Sequence, residues 1–211
     1  MNPAMSVVLF TAVAGAAQGL VVALALATLL DAGAGTAYVA RALAIAAVLL
    51  VIGLVASFGH LGRKERAWRA VLMWRTSWLS RECIVLPIFI GWVAAWWWLL
   101  AVSGAPQPPL ASALALGAIV LALVLWLCTA MIYACLRFVE EWAQALTLPN
   151  FMLVGLSSGF VLASALAQAS DERRLLAVTG PTALVLTIAA WIVRVLVLRH
   201  NAALKHRSTL Q

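Results

Sequence analysis

Hydrophobic residues in this chain neither alternate with a period of two nor mark a single helical face. They run on without a break. Six stretches with few or no charges stand out, at about 5–30, 42–58, 84–101, 110–136, 151–169 and 175–198. A helix needs roughly 20 such residues to cross ~30 Å of hydrocarbon. Each run is therefore predicted to be a spanning helix, the second and third being short. Barrel-type alternation is absent, and a helix is then the form that satisfies its own backbone in lipid. DAGAG at 31–35, SGAPQPP at 103–109 and LPN at 148–150 predict the turns. Pro181, after Gly180, predicts a kink in the sixth run. No internal repeat is visible. The expected fold is an all-α integral membrane protein. It is a single domain over 1–211, a bundle of six transmembrane helices with a basic interfacial segment between helices 2 and 3.

Composition strengthens that picture. The chain is 65% hydrophobic and 10% charged, where soluble domains carry about a quarter charged residues. The first run holds 26 uncharged residues with no basic stretch before it. It is too long for a signal h-region and reads as a retained helix. Gly15 and Gly19 form a G-x-x-x-G in that run, which predicts close helix packing inside the bundle more than a dimer face. Cys83, Cys128 and Cys135 have no metal-binding spacing and read as small apolar residues. No metal is expected in this chain.

Charge adds orientation. The net charge of +7 does not form a soluble basic domain, so nucleic acid is not an expected partner. An even number of spans puts both termini on one side. On that side lie the Lys and Arg residues at 63, 64, 66, 69, 75, 81, 137, 194, 199, 205 and 207; Arg41, Arg173 and Arg174 lie on the other. Positively charged loops stay inside. Both termini and the 60–82 loop are expected in the cytoplasm, in the inner (cytoplasmic) membrane.

The polar chemistry gathers in one stretch, SFGHLGRKERAWRAVLMWRTSWLSREC at 57–83. His60 ends the second span and Glu82 opens the third, so both are expected at interface depth on one side. Between them, Glu65 to Arg75 suits a short interfacial helix. Each residue has a plain reading too. Arg63, Lys64 and Arg66 can set topology and meet lipid headgroups, and Trp68, Trp74 and Trp78 can anchor at the interface. Glu82 can pair with Arg81 or Arg75, and His60 can cap its helix. The functional reading is a quinone pocket. An apolar slot near the interface would hold the ring, an imidazole would exchange protons near neutral pH, and a carboxylate would orient it.

The run G-H-L-G-R-K-x-R-A-W-R-A followed by W-R-T-S-W-L-S-R-E resembles the signature of the dimethyl sulfoxide reductase membrane-anchor family (DmsC-like). MIYACLRFVEEWA from Met131, Phe151 and GLSSG at 155–159 resemble its central region. The resemblance implies an anchor for a molybdopterin catalytic subunit and an iron–sulfur subunit. It implies exchange of electrons with menaquinone or ubiquinone, and no haem. By the same resemblance His60 and Glu82 belong to the quinone site, with Arg66 and Trp78 near it. Arg63, Lys64, Arg69 and Arg75 would dock the iron–sulfur partner. Sulfite oxidation in the cytoplasm and reduction of an S- or N-oxide are both open. Many members have eight spans in a longer chain, against six here. Two rivals from other classes remain. A b-type cytochrome anchor would need His60 paired with His200 or His206, beyond Arg199. A small transporter would need ionisable residues at mid-bilayer.

Overall fold

The computed structural model describes residues 5–59, 64–104 and 108–204. His60 and Arg63, both expected at the site, lie outside the described residues. The described chain is all-helical. Six long helices, each apolar and long enough to span a membrane, follow one another: α1 Met5–Leu29, α2 Thr36–Phe58, α3 Trp78–Ser103, α4 Pro108–Ala134, α5 Thr147–Ala169 and α6 Arg173–Ala203. A 3₁₀ segment, Lys64–Met73, leads into α3. The chain is therefore a multi-pass membrane protein.

Helix α1 is the hub. It packs against α2, α4 and α5, while α6 rests chiefly on α5. Over half of the apolar stretch of α1, 56%, is buried inside the bundle, against 17% for α6. Small residues explain the difference. Without a hydrophobic drive between helices in lipid, close backbone approach and dispersion contacts decide which faces meet. Gly15 and Gly19 of α1 face Gly155 and Gly159 of α5, so the G-x-x-x-G of α1 is used within the chain. A Cβ at Gly19 would overlap the Gly155 carbonyl, and one at Gly159 would overlap the backbone of Gly19 and Leu20. Tyr38 adds a cross-link. Its buried hydroxyl donates to the Ala163 carbonyl at 2.8 Å, tying α2 to α5.

Several helices begin earlier than the turn signals imply. Pro108 and Pro109 open α4, and Pro149 lies in the first turn of α5. The first turn has no intrahelical acceptor for its N–H groups, so proline costs nothing there. Helix α3 starts at Trp78 because Ser77 caps it, its Oγ accepting from the Ser80 N–H at 3.3 Å. Glu82 thereby falls inside α3, in its second turn. Helix α6 runs on through Pro181. The 64–73 segment winds as a 3₁₀ helix, packs on α3, and exposes Arg66, Trp68, Arg69, Leu72 and Met73. The end of the bundle that carries it also holds the start of α1 and the ends of α4 and α6. It is called the basic end below.

Candidate functional site

Glu82 is 6% exposed, a carboxyl that the bundle encloses. An unpaired charge there is expensive, so its partners decide its role. The neighbouring Arg81 does not supply one. Its Nε donates to the Trp74 carbonyl at 3.0 Å and its Nη2 to the Arg75 carbonyl at 2.9 Å, while its guanidinium lies 4.1 Å from the Trp78 ring centre. Those contacts turn Arg81 outward. Glu82 instead takes a hydrogen bond from the hydroxyl of Thr129 on α4. The pairing of Glu82 with an arginine is thus replaced by a neutral donor, because helix geometry sends residues 81 and 82 to different faces.

Thr129 also lines a cavity. A space of about 470 Å³ lies among α1, α4, α5 and α6, bounded by Gln18, Trp126, Thr129, Asn150, Gly155 and Arg194. A second space of about 600 Å³ shares Val8, Thr11, Asn150, Phe151 and Arg194 with it and reaches Glu141 and Asn201 at the basic end. Tyr133 stands at its wall, stacked on Phe151 at 5.3 Å and edge-on to Trp142 at 5.2 Å. Across the outer rim Gln144 Nε2 donates to Asn201 Oδ1 at 3.1 Å, and the two residues hold the loop before α5 to the end of α6. The inner space has an unusual lining. Gln18 Oε1, Trp126 Nε1 and Asn150 Oδ1 are buried and have no hydrogen-bond partner among the described residues. Such groups are normally satisfied.

This six-helix architecture, with its hydroxyl-held carboxyl at the foot of α3, coincides with a match over residues 1–210 to the family model described as DMSO reductase anchor subunit (DmsC). The chain belongs to the DmsC family. It is 46% identical to the C subunit of the sulfite dehydrogenase of Allochromatium vinosum, over all of this chain and 69% of that protein. It is 32% identical to the anaerobic dimethyl sulfoxide reductase chain YnfH of Escherichia coli, over 58% of this chain and 43% of that one. No solved structure matches.

In this DmsC-family anchor the residues expected at the site fall into two groups. Glu82 points into the bundle. Trp78, Arg66, Arg69 and Arg75 stay at the surface of the basic end, where Arg69 and Arg75 lie 5.5 and 5.7 Å from the ring centres of Trp68 and Trp74. Trp78 is half-buried beneath Arg81 and lines neither space described above. Lys64 begins the 3₁₀ segment. Gln18, Trp126, Thr129, Asn150 and Arg194 were not among the expected site residues. Gln18 was the readable signal, an amide inside a run of Ala, Gly, Leu and Val. Asn150 was masked by reading LPN as a turn. Arg194 counted only toward orientation, although it lies about nine residues inside the end of α6 and lines both spaces.

Proposed function

We propose that this chain is the membrane-anchor and quinone-exchange subunit of a molybdopterin and iron–sulfur oxidoreductase complex. The observation that carries the reading is Glu82. A carboxyl enclosed at the foot of α3, held by a neutral hydroxyl beside a largely apolar cavity that carries a few polar groups, is an arrangement for handling protons near a ring that titrates on reduction. The residues present fit a quinone, since the inner space offers a hydrogen-bond donor and two acceptors without partners among the described residues. A menaquinone or ubiquinone supplies the redox chemistry there, taking up two electrons and two protons to become the quinol.

The chain's own residues bind, orient and conduct protons. Thr129 fixes the Glu82 carboxyl. His60 is given the exchange of protons with the ring by the resemblance of its stretch to the family. Gly59, the last described residue before it, abuts Ser6 in the first turn of α1, next to Val7 on the outer space. The exposed Arg66, Arg69 and Arg75 of the basic segment, with Arg63 and Lys64, dock an iron–sulfur subunit through complementary charge. Such charge sets register and approach rate more than affinity. The excess of Lys and Arg at the basic end supports a cytoplasmic docking face, with the catalytic subunit beyond it.

The substrate favoured is sulfite, oxidised with electrons delivered to the quinone pool, because the relative named for sulfite dehydrogenase matches over the whole of this chain. The test uses the complex purified with its partner subunits. His60→Ala should lower quinone-linked turnover by at least ~100-fold, the range of a lost general acid–base, and Glu82→Gln should lower it less. Turnover with an artificial dye, which bypasses this chain, is the control. Wild-type quinone-linked rates in both variants would remove the two residues from the site.

A further inference from the structure

We propose that the quinone ring sits in the inner cavity among α1, α4, α5 and α6, hydrogen-bonded by Gln18, Trp126 and Asn150. This rests on the quinone reading above and assigns its headgroup site to helices far in sequence from the 57–83 stretch.

Three observations converge. Gln18 is 4% exposed and Trp126 2%, and the side chain of each carries a buried polar atom without a partner among the described residues, as does Asn150. A membrane helix bears such groups only where they serve a ligand or each other, and here all three line one space. Its volume of about 470 Å³ is within the roughly 300–1,000 Å³ of small-molecule sites.

The three unpartnered groups are neutral and the one charged residue on the lining, Arg194, is exposed, so the buried part of the space favours a neutral, oxygen-bearing ring over a phosphate headgroup. They also match both oxidation states. The Trp126 Nε1–H donates to a quinone carbonyl, while Gln18 Oε1 and Asn150 Oδ1 accept from quinol hydroxyls. Rotation of either amide exchanges its acceptor for donors, so the same residues hold the oxidised ring. Gly155 makes the depth possible, since a Cβ there would stand 2.8 Å from Trp126 Nε1 and cover the donor.

The remaining geometry gives a tail exit and a link to the carboxyl. Helix α6 leans on α5, which leaves a lateral cleft between it and α1, flanked by the exposed Val8, Ala12 and Val154. An isoprenoid tail leaves through that cleft into lipid. Arg194 stands at the cleft, and among the described residues no carboxylate is within ion-pair distance of it. Its guanidinium is free to donate to a ring oxygen or to lipid phosphate at the mouth. Thr129 lies on the cavity wall with Glu82 directly behind it, so a ring in this space is one hydroxyl away from the carboxyl.

The test is photolabelling of the complex in vesicles with an azido-benzoquinone bearing a short isoprenoid tail, followed by peptide mapping. Label in α1 and α5 that excess decylubiquinone competes away supports the site. Competed label confined to 57–83 overturns it and leaves quinone exchange standing; no competed label anywhere on the chain overturns both. A second measurement separates binding from folding. Gln18→Leu and Trp126→Phe should each weaken equilibrium binding of decylubiquinone about tenfold. Thermal stability of the quinone-free protein should stay unchanged or rise in Gln18→Leu, which keeps the volume and removes a polar atom without a partner among the described residues. Trp126→Phe also removes buried ring volume, so a lower midpoint is expected there and its binding is the readout. Lower stability with unchanged binding would assign these atoms a structural role and sink the proposal.

Discussion

Glu82 and Thr129 show how one hydrogen bond decides what a buried acid can do. The hydroxyl satisfies one carboxyl oxygen, and among the described residues no cation lies within ion-pair distance of the group. Thr129→Val keeps the shape and removes the donor. It should destabilise the chain by about 1–3 kcal/mol, the cost of an unsatisfied buried polar group, read as a lowered thermal midpoint. Adding Glu82→Leu should restore most of that loss, since replacing both partners by apolar groups is close to neutral. A double variant as unstable as the single one would mean that Glu82 has further partners. The residues beside it act differently. Arg81, bonded to the carbonyls of residues 74 and 75 and stacked on Trp78, ties the basic segment to the start of α3.

At the scale of elements the α1–α5 crossing positions everything else. Two glycines on each helix bring the backbones into contact, and the neighbouring Gln18 and Asn150 are thereby fixed beside one cavity. No side-chain movement can relieve a Cβ at Gly19, because the atoms it meets are backbone. Gly19→Ala should therefore cost about 1–3 kcal/mol or more and reduce the yield of folded chain in detergent. Gly91→Ala on α3 is the matched control, with nothing within 4 Å of the added methyl. It should be neutral or slightly stabilising, since alanine favours helix. Equal losses in the two variants would show that the crossing is not where stability is concentrated.

For the whole molecule orientation in the membrane decides which compartment the docking face meets, and the chain carries its own probe. Cys135, just past the end of α4, is exposed at the basic end, whereas Cys128 is buried and Cys83 half-buried. A membrane-impermeant maleimide should label Cys135 in inside-out vesicles and leave it unlabelled in right-side-out ones. The reverse pattern would place the basic end, and the proposed docking face, outside the cytoplasm. The probe reads the same asymmetry of Lys and Arg that predicts the orientation, so it tests that asymmetry directly.

Chain composition alone determined that this is a six-span helical membrane protein with a basic segment before the third span. Hydrocarbon thickness and backbone hydrogen bonding leave an uncharged run of this length no other solution. The family was legible too, from the 57–83 stretch, which also holds the candidate carboxyl Glu82. Helix ends were harder to place, because the prolines at 108, 109 and 149 read as breakers in sequence and serve as first-turn residues in the fold. The tertiary structure decided which partner Glu82 takes, which helix is central, and that Gln18, Trp126 and Asn150 line one cavity. Those residues are separated by more than a hundred positions or scattered among apolar neighbours. In a uniformly hydrophobic helix no amphipathic stripe announces which face is inward. Only the close fit of glycines across α1 and α5 selects it, and that fit exists once the helices have packed.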